Sequence, residues 1–205
     1  MITYIIIAIT CLVSVAAFNN RELFGKLKFN PYSIKSNNEW YRFFTYGFIH
    51  ADWIHLLVNM MVLYSFGRIV EAELVQYFHE KTSYYYVLLY VSSLMISVVA
   101  SYQKQKDNIY YNAVGASGAV SAVLFSSILL YPKGSIMFIF LPIPIPSPIF
   151  GILYLIYSAV MAKKAKDNIG HDAHFWGAVF GITYTLLAKP LIAKNFAEQI
   201  MSYFN

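Results

Sequence analysis

Apolar residues come in six dense runs, and the polar residues gather between the runs rather than alternating within them. The runs cover residues 3–18, 53–70, 84–102, 113–131, 150–162 and 173–187. A hydrocarbon core of about 30 Å takes about 20 apolar residues per helix. The pattern therefore predicts an all-α fold: a polytopic membrane protein whose six transmembrane helices form one membrane domain over residues 1–205. Six such spans use roughly 120 residues and leave short loops.

The stretches between the runs have their own character. Residues 19–39 form a polar linker with Arg21, Lys26, Lys28, Pro31 and Lys35. Residues 40–50 mix aromatic and polar side chains, which suits the head-group layer and predicts an interfacial helix or loop. Glu71, Glu73, Glu80 and Lys81 are expected to end the second span. In Pro142-Ile143-Pro144-Ile145-Pro146-Ser147-Pro148 every second residue lacks an N–H and restricts its predecessor, so regular helix is excluded. This segment is expected to be an extended lead-in to a short, weakly held fifth span. A polar loop over 163–171 and a basic tail over 188–205 complete the chain.

Composition agrees with the membrane reading. The 205 residues are 59% hydrophobic and 12% charged, against roughly 25% charged in ordinary soluble domains. The net charge of +5 is modest, and no Lys/Arg block is dense enough for nucleic-acid binding; anionic lipid head groups of the bilayer account for it. One cysteine, Cys11, excludes an internal disulfide and a cysteine-based metal site. The first run lacks a basic lead and a small-x-small cleavage site, so it reads as a retained span rather than a removed signal.

Alternation of direction gives the polar residues meaning. Consecutive spans point opposite ways, so spans two, four and six run alike. His55 and Asn59 lie at i and i+4 near the start of span two, Ser117 near the start of span four, and His174 near the start of span six. With a rise of 1.5 Å per residue, all four should sit at similar depth. Taken singly, each has an ordinary structural role: a serine packs or bonds backbone, a histidine satisfies a neighbour, a His/Asn pair joins helices. Together at one depth, inside a bilayer where polar groups are expensive, they point to a nucleophile, a base and oxyanion donors. Gly177 and Gly181 follow His174 on nearly one face, and Gly118 and Ala122 can supply the matching face for a close helix crossing. No triad acid is evident, since Asp172 is two residues from His174 and does not share its face. His171-Asp172-Ala173-His174 lacks a third evident ligand, so no metal or cofactor is expected.

These residues resemble the rhomboid family of intramembrane serine proteases. The matching pieces are Trp40-Tyr41-Arg42, Phe48-Ile49-His50, His55 through Asn59-Met60, Gly115-Ala116-Ser117-Gly118, and Ala173-His174 through Gly177 and Gly181. Their order and spacing match across roughly residues 39–187, which is the expected rhomboid-like core, with residues 1–18 as the first transmembrane helix. The resemblance implies a six-helix bundle, Ser117 as nucleophile, His174 as general base, and His55 with Asn59 at the oxyanion. It implies supporting roles for Arg42 and His50 in bracing the first loop and for Glu71 in tying helices. The implied substrates are transmembrane proteins cut in or beside their spans, with small residues at the cut and helix-destabilising residues nearby. Span five and the loop before His174 resemble the family's proposed substrate gate and cap.

Two departures accompany the resemblance. Some members carry a tyrosine four residues after the nucleophile, stacked on the histidine; here that residue is Ser121, leaving Phe175, Tyr110 or Tyr111 to orient the imidazole. The family orientation implies cytoplasmic termini, yet it puts five Lys/Arg inside (Arg68, Lys81, Lys133, Lys189, Lys194) and ten outside, Lys163, Lys164 and Lys166 among them, against the positive-inside rule. The expected protein is thus a multi-pass serine endopeptidase of a bacterial inner membrane. The alternative is a non-catalytic rhomboid-like binder of transmembrane segments. A transporter is disfavoured because the far halves of the even spans hold little polarity beyond Ser65, Ser126 and Ser127.

Overall fold

The computed structural model describes residues 1–138, 141–164 and 170–202. Part of the expected loop before His171, including Lys166, and the end of the expected tail lie outside the described residues.

The chain is mostly helical. In order, its elements are α1 (Ile2–Phe18), α2 (Arg21–Leu27), α3 (Pro31–Asn37), α4 (Arg42–Thr45) running into a 3-10 turn (Tyr46–Phe48), α5 (Trp53–Phe78), and α6 (Thr82–Gln105). Then follow α7 (Ser117–Leu130), strands β1 (Ser135–Phe138) and β2 (Leu141–Pro146), α8 (Ser147–Lys164), α9 (His171–Ala188) and α10 (Leu191–Met201). By length and apolarity alone, the α5–α6 stretch Trp53–Gln105 is long enough to cross a membrane. The α9–α10 pair passes the same test together, bent by 109° at its break, and α1 and α7 are apolar but shorter.

Helix α7 is the buried centre. Every residue from Gly118 to Ile128 is buried, as expected of a helix that is hydrophobic all round and enclosed by a bundle. Around it stand α5, α6, α8 and α9. The closest approach is with α9. A methyl added at Gly177 would collide with the carbonyl of Gly118, and one at Gly181 with the carbonyl of Ala122. The two backbones therefore touch, which only glycine or alanine faces permit. On the far side, Glu71 caps the start of α1: it pairs with the Met1 amine and accepts from the N–H of Ile2 at 2.6 Å and the hydroxyl of Thr3 at 2.9 Å. The carboxylate satisfies donors that a helix N-terminus leaves open and ties α1 to α5.

Several expectations need correction. The linker over 19–39 is not merely polar chain: Asn20 and Asn30 cap α2 and α3 by accepting from Leu23 N and Ser33 N, with Pro31 in the first turn of α3. Glu71 and Glu73 do not end the second span, because α5 continues to Phe78. The all-α class omits a hairpin. The proline run is extended, but as strand β2 paired antiparallel with β1, Ile145 opposite Ile136. Prolines at alternate positions remove donors from one edge of a strand only, so the other edge can pair. The fifth span is longer than expected, 18 residues, and the basic tail carries the helix α10.

Candidate active site

Ser117 is the first residue of α7, with Ala116 as the preceding cap. The expected span start at residue 113 is thus too early, because residues 113–116 are irregular, non-helical chain held from outside, with only Ala116 turning into the helix. Phe29 and Ala113 exchange N–H···O bonds at 2.9 and 3.0 Å as an antiparallel bridge. Gly115 N–H donates to Tyr46 O at 3.0 Å, and Ala116 N–H donates to His50 Nε2 at 3.4 Å. Gly115 has φ +110°, a conformation that only glycine adopts readily.

The acceptor role of His50 Nε2 fixes its tautomer. Nδ1 then carries the proton and donates to Ser14 Oγ at 3.0 Å, while that hydroxyl donates to Phe48 O at 2.9 Å. His50 is fully buried, and it joins α1, the first loop and the nucleophile segment in one chain of bonds. Arg42 works beside it. Its guanidinium donates to Glu39 at 2.5 Å, to Gly25 O at 2.9 Å and to Lys28 O at 2.8 Å, so it staples the first loop to the strap that carries Phe29. A second tie, between exposed Lys35 and Asp107 at 2.5 Å, holds the Asp107 carboxyl below its ordinary range.

His55 stands edge-on to His50, ring centroids 5.0 Å apart. Its Nδ1 accepts from Ala51 N–H at 3.4 Å, so Nε2 is the donor. A methyl at Gly115 would come 2.6 Å from Cε1 and 2.8 Å from Nε2 of this ring, so the donor edge lies over the backbone two residues before Ser117. Asn59 is buried and gives one amide hydrogen to His55 O at 2.9 Å, keeping the other.

His174 enters from α9. Ala173 O lies 3.3 Å from where a methyl of Gly118 would sit, so the residues next to His174 and Ser117 are neighbours in space. Among the described residues no direct hydrogen bond joins Ser117 and His174. Asp172 turns away and pairs with Lys104 at 2.7 Å, so it joins neither a triad nor a metal cluster with His171 and His174.

The residues expected to orient the imidazole do not do so. Tyr110 is exposed, and Phe175 meets Trp176 edge-on. Two rings stand beside His174: His171 of the same helix, edge-on with centroids 5.9 Å apart, and Tyr154 of α8, centroids 6.4 Å apart and tilted by 36°, the one that comes from another helix. Its hydroxyl meets Ser121 Oγ at 2.7 Å, and Ser121 donates to Ser117 O at 2.8 Å. The sequence did hold a signal: Tyr154 and Ser158 lie one turn apart, on one face of the otherwise apolar run 150–162, and polar groups in membrane helices tend to face inward; Tyr157, off that face, is exposed.

Comparison with known proteins agrees with this layout. A family model described as the rhomboid domain matches residues 37–190. The chain is 33% identical over 158 residues to the presenilin-associated rhomboid-like protein, mitochondrial, of Rattus norvegicus, covering 72% of this chain and 38% of the relative. It is 27% identical over 154 residues to RHOMBOID-like protein 12, mitochondrial, of Arabidopsis thaliana, covering 71% and 46%. It is 28% identical over 160 residues to YdcA of Bacillus subtilis (strain 168), covering 74% and 69%. The chain spans less than half the length of the first two relatives, and both are named mitochondrial, so the comparisons do not support the expectation of a bacterial membrane. The match covers three quarters of the chain and takes in Arg42, the histidines at 50, 55 and 174, Asn59 and Ser117. This chain belongs to the rhomboid family, whose members are embedded in membranes.

Proposed function

We propose that the chain is an intramembrane serine endopeptidase that cuts transmembrane or membrane-adjacent segments of membrane proteins with a Ser117–His174 dyad. The observation that carries this reading is the backbone contact between Gly118 and Gly177. Ser117 directly precedes Gly118, and His174 stands one helical turn before Gly177.

In the proposed reaction Ser117 Oγ attacks the scissile carbonyl carbon while His174 takes the hydroxyl proton. The oxyanion accepts from Ser117 N–H, from His55 Nε2–H and from the spare amide hydrogen of Asn59. Collapse breaks the C–N bond, His174 passes its proton to the leaving amine, and an ester remains on Ser117. Water then gives a proton to His174 and attacks the ester; the acid departs and Ser117 regains its proton.

The proposed spans are α1, α5, α6, α7, α8 and α9, in a bacterial inner membrane, with cytoplasmic termini and the site opening outward. Among the described residues, outer cations that are ion-paired include Lys26 with Glu22, Lys35 with Asp107, Arg42 with Glu39, and Lys104 with Asp172.

The test is cleavage of a single-span reporter by purified protein in detergent. Cleavage that Ser117→Ala and His174→Ala each abolish supports the enzyme; undiminished cleavage by Ser117→Ala ends the proposal. The missing Ser117–His174 hydrogen bond favours a second reading, a non-catalytic binder of transmembrane segments, although catalytic hydrogen bonds often tighten only with substrate. Failure of a fluorophosphonate probe to label Ser117 would select that reading.

A further inference from the structure

Helix α8 rests on the bundle along a narrow seam. Of its 18 residues only Ser147, Gly151 and Ser158 are buried, while Ile149, Ile152, Leu153, Ile156, Tyr157 and Val160 are exposed. Gly151 allows the approach, since a methyl there would sit 3.2 Å from Ile128 and 3.4 Å from Phe125 of α7. One turn later Tyr154 reaches in, its ring flanked by Phe125 and Phe150 at centroid distances of 5.5 and 5.9 Å. Among the described residues it makes the only side-chain hydrogen bond between α8 and α7.

The direction of that bond follows from its neighbours. Ser121 spends its proton on Ser117 O, so the phenol must be the donor. The chain of bonds runs from Tyr154 O–H to Ser121 Oγ, and from Ser121 O–H to the carbonyl of Ser117. The same ring lies beside His174. One side chain thus lies beside His174 and, through Ser121, is linked to Ser117, from a helix that otherwise packs on α7, α9 and the hairpin by apolar contact.

We propose that Tyr154 is a positioning residue and a latch: its ring orients His174, and its hydroxyl fastens α8 to the helix that carries Ser117. This rests on the protease reading above and deepens it. The consequence is coupling. When α8 moves away from α7 to admit a transmembrane segment, the ring leaves His174 and the dyad loosens; it is complete again only when α8 closes on the substrate. Ring and nucleophile sit on different helices, so positioning of the base depends on the state of α8.

The experiment uses the full chain in detergent, with two readouts: the rate of Ser117 labelling by a fluorophosphonate across pH, and KM and kcat for a single-span reporter. Tyr154→Ala should slow labelling at least tenfold and displace its pH profile. Tyr154→Leu fills the space without a ring and should be as slow, which separates positioning from packing. Tyr154→Phe keeps the ring and loses the hydroxyl; labelling should fall by less than threefold, and reporter KM should fall at least threefold because α8 opens more freely. Ser121→Ala should reproduce the Phe effect, and the pair should be no stronger than either alone. Moving the ring, Ser121→Tyr with Tyr154→Ala, should return labelling to within threefold of wild type. Wild-type labelling and pH profile in Tyr154→Ala or Tyr154→Leu, or independent effects of Tyr154→Phe and Ser121→Ala, overturn the proposal. A wild-type protein that never labels removes the protease reading itself.

Discussion

The contact between Gly118 and Gly177 can be tested by one methyl group. In Gly177→Ala the new Cβ would come 2.8 Å from the carbonyl carbon and 3.1 Å from Cα of Gly118, and closer still to the oxygen. Ordinary contact begins near 3.4 Å, so the carbonyl carbon alone demands a shift of about 0.6 Å. The obstacle is backbone, which has no rotamer to give, so α7 and α9 must part by roughly 1 Å. Overpacking of this kind costs about 1–3 kcal/mol of stability. A misplacement of about 1 Å between reacting groups costs about a hundredfold in rate, or roughly 2.7 kcal/mol of barrier. Gly181→Ala commits the same offence against Ala122, with Cα at 2.7 Å, but about 10 Å further along α9 from His174. It should lose similar stability and much less activity. Gly25→Ala, which meets nothing within 4 Å, is the control. The assays are thermal unfolding in detergent and kcat/KM for the single-span reporter. Gly177→Ala with activity within threefold of wild type, or equal activity losses in Gly177→Ala and Gly181→Ala, would refute the argument that this crossing sets the dyad.

Three further outcomes follow from particular contacts. Gly115→Ala forces an alanine into φ +110° with its methyl 2.6 Å from His55; with strain of about 1–3 kcal/mol, reporter kcat should drop at least tenfold while KM stays within threefold, and an unchanged kcat would separate this backbone from the site. His50→Phe strands Ala116 N–H, worth about 1–3 kcal/mol when buried and unpaired, and takes from Ser14 the bond it accepts while leaving the one it donates to Phe48 O; the unfolding temperature and the labelling rate should fall together. Glu71→Ala removes the acceptor for Ile2 and Thr3 at the far end of α5; it should lower the unfolding temperature, at about 1–3 kcal/mol, yet leave Ser117 labelling well below that temperature within twofold of wild type.

What the chain betrayed of this arrangement depended on the range of the interaction. Runs of apolar residues mark helices because their signal is local, and the six runs fall on α1, α5, α6, α7, α8 and α9. Parity then assigns His55, Ser117 and His174 to corresponding ends of α5, α7 and α9 without knowledge of any contact. Small residues at 118, 122, 177 and 181 advertise a close crossing, because backbone contact excludes side chains. The hairpin was hidden because proline arithmetic says extended chain but not what pairs with it. The role of Tyr154 was hidden for a different reason. Phe175 adjoins His174 and Tyr110 and Tyr111 lie near Ser117 in the chain, whereas the ring arrives from α8, twenty residues before His174. The strap at Phe29 and Asn30 was equally invisible, since a β-bridge of one residue pair leaves no periodicity to read.

The strap, the first loop and the nucleophile are one physical problem. Helix α7 has 14 residues and rises about 21 Å, short of a hydrocarbon core of about 30 Å; on the membrane placement proposed above, non-helical chain carries Ser117 below the surface. Irregular backbone at that depth survives only where protein satisfies its polar groups. The N–H groups of Ala113, Gly115 and Ala116 are met by Phe29 O, Tyr46 O and His50 Nε2. Two of those acceptors belong to the first loop and one to the strap, and Arg42 joins strap to loop through Gly25 O and Lys28 O. Histidine suits the third position because a buried imidazole can accept from Ala116 with one nitrogen and donate to Ser14 with the other. The aromatic and polar loop over residues 40–50 therefore does more than rest at the head-group layer: it is the hydrogen-bonding surface that lets a serine begin its helix inside a membrane.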